Sequence, residues 1–311
     1  MAKIVILEAH NSNPGDLSWA EIEKLGDVTI YQRTSQDQII ERAAGADILI
    51  TNKLKISADV LVQLPELKLI HQLATGTDNI DKEAAKKQGV EVMNAVGYST
   101  NAVAQHVFAL ILQLTSHVSL HNDAVGSGQW SKSGDWCYML KTPIELAGKS
   151  LGIIGFGKIG QAVARLGLAY GMNILVNSNH ATATQYPEVA IVSLDELARK
   201  SDFVSIHSPL TDKTAGIINH DFLSKMASNA FLINTARGGH VIEKDLYDAL
   251  KNEKIAGAGL DVTNQEPIEP DNPLLTLDNC IITPHIAWTA FEARRRLIGI
   301  VAQNIRSFLE A

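Results

Sequence analysis

The stretch Lys149 to Ser178, KSLGIIGFGKIGQAVARLGLAYGMNILVNS, constrains this chain more than any other. Leu151 to Ile154 is a short apolar run that suits a buried parallel strand. Gly155, Gly157 and Gly160 then set out G-x-G-x-x-G. Ala162, Val163, Leu166 and Ala169 follow at helical spacing, Gly171 closes that helix, and Asn173 to Val176 starts a second strand. Strand, glycine turn, helix and strand in this order are what a dinucleotide fold requires. Gly155 permits the tight turn, Gly157 lets the backbone approach a pyrophosphate, and Gly160 lets the helix pack close to the sheet. Exposed N–H groups at the helix start, with the helix dipole, favour a phosphate there. The acidic residue that would grip a ribose 2′-hydroxyl is missing. Asn177, Ser178, Asn179 and His180 stand at the end of the second strand, with no carboxylate to repel a 2′-phosphate and no arginine to bind one. NAD and NADP both stay open.

The chain has 311 residues, so two domains are expected. A net charge of −7 argues against a nucleic-acid partner and against an anionic membrane surface. The basic run Arg294-Arg295-Arg296 falls on a helical pattern and reads as a solvated face with local ion pairs. Cys137 and Cys280 form no disulfide framework, and nothing has metal-ligand spacing; Cys280, in a strand-like run, is expected to be a buried thiol. Met1 to Leu7 reads as a strand and not a signal peptide, and no stretch approaches a membrane span, so a cytoplasmic location is expected.

Before the glycine turn, strands are expected at Lys3–Leu7, Val28–Tyr31, Asp47–Thr51, Lys68–Gln72 and Val90–Asn94. Helices are expected at Leu17–Leu25, Gln38–Ala44 and Ala58–Leu64, the last capped by Ser57 and stopped by Pro65. This alternation makes an α/β unit of its own. A long helix follows Gly97, capped by Thr100 or Asn101, with Val103, Val107, Leu110, Ile111 and Leu114 as its apolar stripe. Gly126 to Lys149 reads as a long irregular stretch holding Trp130, Trp136, Tyr138 and Met139, which either pack on a partner subunit or staple the loop to its own domain. Later strands are expected at Asp202–His207, Phe231–Asn234, Ile255–Leu260 and Cys280–Thr283, with helices at Leu194–Lys200, His220–Ala227 and Lys244–Lys251. A last amphipathic helix, Phe291–Leu309, could return to the first domain. The fold class is α/β: two doubly wound parallel-sheet, Rossmann-like domains with a cleft between them.

In such sheets ligands bind beyond the carboxyl ends of the strands. Arg237, Asp261 with Glu266, and His285 arrive there from successive strands. These residue types suit hydride transfer. A histidine takes the hydroxyl proton, because imidazole titrates near neutrality. A carboxylate such as Glu266 orients the ring and favours the imidazolium needed for reduction, and Arg237 clamps a substrate carboxylate and polarises the adjacent carbonyl. The competing reading is that the three only cap strands or pair on the surface.

At these residues the chain resembles the D-2-hydroxyacid dehydrogenase family. The matching segments cover nearly the whole chain in order: LPELKLIHQLATGTDNID (Leu64 to Asp81), NAVGYSTNAVAQH (Asn94 to His106), ELAGKSLGIIGFGKIG (Glu145 to Gly160), HSPLT (His207 to Thr211), NTARGG (Asn234 to Gly239), GLDVTNQEP (Gly259 to Pro267) and TPHIAW (Thr283 to Trp288). TPHIAW and PIELAGK resemble the glycerate dehydrogenase, or hydroxypyruvate/glyoxylate reductase, branch. The resemblance implies Arg237, Glu266 and His285 as the catalytic set, and a substrate site at Lys53 and the Ala74-Thr75-Gly76 turn. It implies cofactor contacts from Thr100, Gly155, Phe156, Gly157, Lys158, Ile159, Gly160, Ser178, His207, Pro209, Thr235, Ala236 and Asp261, the last toward the nicotinamide amide. It implies a homodimer with residues 101–147 as the arm between subunits, a substrate domain of residues 1–98 plus 288–311, and a cofactor domain of residues 99–287. No metal is implied. Gln105 stands where the family often has glutamate, which implies one buried charge fewer. Related alternatives are a D-lactate or phosphoglycerate type of dehydrogenase and, from another class, a dinucleotide-sensing protein like the family's corepressor relatives.

Overall fold

The computed structural model describes residues 1–179 and 188–311; His180 and the rest of 180–187 lie outside the described residues. The chain divides into two compact units, Met1–Ser99 with Trp288–Ala311, and Thr100–Ala287.

The first unit holds a parallel sheet of β1 (Ala2–Ile6), β2 (Gly26–Ile30), β3 (Ile48–Thr51), β4 (Leu69–Gln72) and β5 (Glu91–Asn94), in the order β2-β1-β3-β4-β5. Alternation along the strands splits the core. Val5, Leu7, Leu49 and Ile70 pack with Ile39, Leu61 and Leu64 on one face. On the other face the helix Phe291–Glu310 returns, burying Ala293, Leu297, Val301 and Ile305. Arg294 departs from the expected solvated face. It is 8% exposed, and its Nη1 and Nη2 donate to the two Asp16 carboxylate oxygens at 2.7 and 2.6 Å. A planar guanidinium can enter a buried position when a carboxylate meets its fork. Arg296 donates from Nε to the Tyr98 carbonyl at 2.9 Å, so the run ties the helix to its own unit.

His71 on β4 shows how a polar group enters this core. Asn304 Nδ2 donates to His71 Nε2 at 3.0 Å, which places the ring proton on Nδ1, 3.1 Å from the Gln72 carbonyl. Burial pushes this imidazole down to about 4, against a smaller raising effect of the Gln72 carbonyl. The unfolded chain binds a proton here below about pH 6.5 that the folded chain refuses, so stability is complete above that pH and falls as pH drops toward 4. Between pH 7.5 and 5, urea unfolding should show the native chain losing about 2 kcal/mol more than a His71→Gln variant. Parallel losses in both would remove His71 as the cause.

The second unit holds β6 (Ser150–Ile154), β7 (Asn173–Asn177), β8 (Ala190–Ile191), β9 (Phe203–Ile206), β10 (Phe231–Asn234), β11 (Gly257–Leu260) and β12 (Cys280–Ile282). They form a parallel sheet in the order β12-β11-β10-β9-β6-β7-β8, whose order reverses between β9 and β6. Leu151, Ile153, Phe203 and Ile233 pack on one face with Val107, Ile111 and Leu114 of the helix Thr100–Ser116. Ile154, Val204, Ile206 and Leu232 pack on the other with Leu197, Phe222 and Leu246. Both faces are covered, so the sheet is doubly wound. Among the described residues no single helix is long and apolar enough to cross a membrane. The pair Thr100–Ser116 and Val118–Gly126 passes only jointly, across a 55° bend.

Several expected elements differ. The Leu17–Leu25 helix shrinks to Ala20–Glu23, because Asn13 organises the preceding turn: its Oδ1 accepts from the amides of Gly15 and Leu17. Ser57 stands at the start of the helix Ala58–Leu61 but makes no side-chain cap bond. A short helix, Lys82–Lys87, is capped instead by Asp81, whose Oδ1 accepts from the Ala84 amide at 2.9 Å. The irregular stretch contains the helix Gln129–Ser133, set between Gly128 and Gly134, both at positive φ. Cys280 is half-buried, and burial, helped by Glu243, pushes its thiol up to about 12.

Candidate active site

The glycine turn sits where the second sheet reverses order. Gly155 has φ +91°, and a Cβ there would meet the Ser208 amide nitrogen at 2.5 Å. The turn therefore presses against the segment after β9, where the His207 amide donates to the Ile154 carbonyl at 2.7 Å. A Cβ on Gly160 would lie 2.3 Å from the Gly155 carbonyl oxygen, so the helix Lys158–Ala169 can start only this close to the strand with glycine there. Gly157 differs from both. Its φ is −75°, and a Cβ would meet no described atom within 4 Å. Neither backbone strain nor packing asks for glycine at this position, whereas a pyrophosphate lying against the backbone would.

The chain around the turn fits the rest of a dinucleotide. The first-turn amides of the helix from Lys158, Ile159 and Gly160 have no intrahelical acceptor by geometry and carry the positive end of the dipole. Phe156 is buried, and its carbonyl accepts from Gln161 Nε2 at 3.0 Å. Ser178 is half-buried beyond β7, whose Asn177 carbonyl accepts the Gly155 amide at 2.9 Å. The Thr235 hydroxyl is buried with no hydrogen-bond partner among the described residues. His207 Nε2 lies 2.8 Å from Ser205 Oγ, and burial pushes this imidazole down to about 3, so it is neutral at pH 7. Pro209 is exposed, Ala236 is half-buried, and Thr100 opens the helix Thr100–Ser116.

Three consecutive strand ends carry the polar groups. After β10, Asn234 builds a loop with its own side chain: Oδ1 accepts the Ala236 amide at 3.0 Å and Nδ2 donates to the Arg237 carbonyl at 2.8 Å. Arg237 is half-buried, and its Nη1 donates to the Ala236 carbonyl at 2.8 Å. The next residue, Gly238, is pressed on the segment beyond β11, where a Cβ would stand 2.0 Å from the Thr263 carbonyl oxygen. That contact sets the Arg237 loop against the loop that carries Glu266.

After β12, Thr283 and Pro284 lead to His285, which has φ +56°. This left-handed conformation is uncommon outside glycine and has to be held in place. The clamp is Asp261. Its Oδ1 accepts from Thr283 Oγ1 at 2.6 Å and from the Ile286 amide at 2.8 Å, and its Oδ2 accepts from the Ala287 amide at 2.8 Å. Burial raises this carboxyl, but hydrogen bonds from His106, Thr283 and the Ala287 and Ile286 amides outweigh it and hold the group below its ordinary value. The resemblance points Asp261 toward a nicotinamide amide; its side chain is fully covered, and these hydrogen bonds serve the turn that carries His285.

His285 Nδ1 lies 2.6 Å from Glu266 Oε2, and Glu266 Oε1 accepts from the Thr263 amide at 3.4 Å. The histidine side chain is 19% exposed and the glutamate 33%, so the pair is reachable yet partly shielded. A carboxylate at Nδ1 fixes the ring plane and leaves Nε2 as the nitrogen on the far side of the ring from Glu266.

The supporting residues are not legible in the sequence. Asn234 and Gly238 lie inside NTARGG, but their packing partners do not follow from the motif. His106 has a use beyond its helix, since its Nε2 lies 2.9 Å from Thr283 Oγ1 and 3.4 Å from Asp261 Oδ1. Gln105 is exposed, so no buried charge is at stake there, contrary to expectation. In the first unit Lys53 is exposed beyond β3, and the Ala74-Thr75-Gly76 turn follows β4, with Thr75 Oγ1 donating to the Ala95 carbonyl at 2.9 Å. Among the described residues no group of three or more His, Cys, Asp or Glu could hold a metal ion.

Residues 108–287 match the family described as D-isomer specific 2-hydroxyacid dehydrogenase, NAD binding domain. The chain is 42% identical over 312 aligned residues to a hydroxypyruvate reductase of Blautia hydrogenotrophica, covering 99% of this chain and 97% of that one. It is 41% identical over 282 residues to a glycerate dehydrogenase of Methylorubrum extorquens, covering 90% and 88%. Its fold matches the crystal structure of D-lactate dehydrogenase from Aquifex aeolicus, complexed with NAD and lactic acid, with a TM-score of 0.84 at 30% identity over 99% of this chain and 95% of that one. With this match and the glycine cradle together, the chain belongs to the D-isomer specific 2-hydroxyacid dehydrogenase family and is a nicotinamide-dependent oxidoreductase.

Proposed function

We propose that the chain reduces small 2-oxoacids, hydroxypyruvate first, to D-glycerate, and glyoxylate to the achiral glycolate, and runs the reverse oxidation with the oxidised cofactor. The observation that carries this is the 2.6 Å pair of His285 and Glu266, held at the end of the strand next to the one that leads to Asp261. The names of the two curated relatives support the substrate class. A reduced nicotinamide bound at the glycine turn would supply the hydride for the substrate's carbonyl carbon. His285 Nε2 gives its proton to the developing alkoxide, and Glu266 stabilises the imidazolium beforehand. Arg237 pairs with the substrate carboxylate and draws charge from the carbonyl, while Lys53 and the Ala74-Thr75-Gly76 turn receive the acid's anionic end. Thr100, Phe156, the first-turn amides, Ser178, His207, Pro209, Thr235, Ala236 and Asp261 hold or border the cofactor. Ser178 is neutral, so this position repels neither a ribose hydroxyl nor a 2′-phosphate, and the cofactor is NAD or NADP.

The test is steady-state absorbance of reduced nicotinamide with hydroxypyruvate and glyoxylate, each with NADH and with NADPH. Turnover is expected with both acids. Stoichiometric NADH binding with no turnover of any 2-oxoacid would replace this reading by a dinucleotide sensor. A second result concerns Gly157. Because no described atom lies within 4 Å of its Cβ position, Gly157→Val should melt like the native chain. It should bind NADH about 10- to 100-fold more weakly, as expected of a side chain thrust where the pyrophosphate lies. Unchanged affinity by fluorescence titration would displace the cofactor from this turn.

The chain is also proposed to work as a homodimer in the cytoplasm. Trp136 is 95% exposed and Met139 64% exposed on the 101–147 arm, which favours packing on a partner over a staple to its own unit. Cys137 and Cys280 are free thiols, which suits a reducing compartment. Light scattering should give about twice the chain mass of 33.7 kDa, and a monomer at micromolar concentration would remove the arm's role.

A further inference from the structure

The first sheet reverses its strand order between β1 and β3, and in an open parallel sheet that switch point is where a ligand is received. Glu8 stands just beyond β1 and Lys53 just beyond β3. Glu8 is 8% exposed. Its Oε2 accepts four hydrogen bonds: from Thr51 Oγ1 at 2.9 Å, from the Asn52 and Lys53 amides at 2.9 Å, and from the Leu54 amide at 3.1 Å. Three successive backbone N–H groups converging on one oxygen form an anion nest, here filled by the chain's own carboxylate.

The scaffold continues from that nest to the neighbouring turn. Asn52 Nδ2 donates to the Leu73 carbonyl at 2.9 Å, and the Asn52 carbonyl accepts from Gln72 Nε2. Asn79 Nδ2 donates to the Leu54 carbonyl at 2.7 Å, and Asn79 Oδ1 accepts from Gln72 Nε2 at 3.0 Å. Leu73 and Asn79 bracket the Ala74-Thr75-Gly76 turn. One buried carboxylate therefore lies at the root of both segments assigned to the substrate's anionic end.

We infer that Glu8 is the positioning residue for substrate capture, fixing the Lys53 backbone and, through Asn52 and Asn79, the Ala74-Thr75-Gly76 turn. This rests on the functional reading above. Burying a carboxylate is costly unless its hydrogen bonds are complete, and a charged acceptor holds amides about twice as firmly as a neutral one. Glu8→Gln keeps the shape and one carbonyl oxygen but removes the charge, so the nest loosens without emptying.

The experiment compares the native chain with Glu8→Gln and Thr51→Val, measuring kcat, KM for hydroxypyruvate, Kd for NADH, and hydrogen exchange of the amides of 52–54. Glu8→Gln should raise KM about tenfold, with kcat at saturation and NADH affinity within about twofold, as expected when a capture loop is loosened. Thr51→Val removes one of the four donors and should raise KM about threefold. Exchange at 52–54 should quicken about tenfold in Glu8→Gln. An unchanged KM in either folded variant, or a fall in kcat that matches the loss in kcat/KM, overturns the inference. So does unchanged exchange at 52–54. If Glu8→Gln does not fold, Thr51→Val decides alone. If the native chain turns over no 2-oxoacid, the functional reading falls, and the exchange measurement still decides whether Glu8 holds the loop.

Discussion

His285→Ala is expected to lower kcat for hydroxypyruvate reduction by about 10³-fold while leaving the Kd for NADH within about threefold. The variant removes the proposed proton donor and with it the partner of Glu266 Oε2, but touches none of the glycine turn at Gly155–Gly160. Alanine carries one complication, because His285 has φ +56° and a methyl side chain is strained there. His285→Asn is the better companion. Asparagine tolerates the left-handed region, and the turn is held through the Ile286 and Ala287 amides by Asp261, not by the imidazole. Both variants should therefore lose turnover alike, with His285→Asn melting close to the native chain and His285→Ala somewhat below it. Stopped-flow single turnovers at saturating substrate and cofactor would separate this from slow binding. Weak cofactor binding with normal turnover at saturation would take the proton-transfer role away from His285.

Much of this site could be read from strand ends because the second sheet is a run of short apolar strands. β10 and the helix Leu194–Lys200 fall where the apolar pattern places them to the residue, and the stripe Val103, Val107, Leu110, Ile111 and Leu114 is buried throughout. Once the strands are fixed, Arg237, Asp261 and His285 must emerge at one edge. Periodicity fails where a segment has no apolar stripe or where one polar side chain overrides it. Lys82–Lys87 has no apolar residue larger than alanine, and only Asp81 announces it; Leu17 and Ser18 stay out of a helix because Asn13 holds the turn before them. What stayed illegible in the site are contacts between residues far apart in sequence. His106 meets Thr283 across 177 positions, and Glu8 meets Asn52 across 44. No local pattern encodes such a pair; it exists only once the sheet order is set.

Arg237→Ala should reduce kcat/KM for 2-oxoacids by about 10³-fold, the scale of removing a charged, hydrogen-bonded partner of the substrate carboxylate. The loop should survive the change. Asn234 anchors it through the backbone of Ala236 and Arg237, and His240 Nδ1 lies 3.1 Å from the same Arg237 carbonyl, so the guanidinium is not what shapes the turn. Gly238 against Thr263 keeps the loop in register with its neighbour whatever the side chain at 237. Arg237→Lys keeps the charge but loses the planar fork, and should retain only part of the activity, about 10²-fold below native. The two variants separate charge from geometry: equal losses would mean that the fork carries the effect, and a near-native lysine variant that charge alone suffices. Added guanidinium at tens of millimolar should restore some turnover to Arg237→Ala and none to His285→Ala, because it can fill the vacated cationic site but cannot donate a proton as imidazolium does. If instead Arg237→Ala keeps kcat/KM within about threefold of native while unfolding at a lower temperature, Arg237 is a strand-end brace, and another cation must meet the substrate carboxylate.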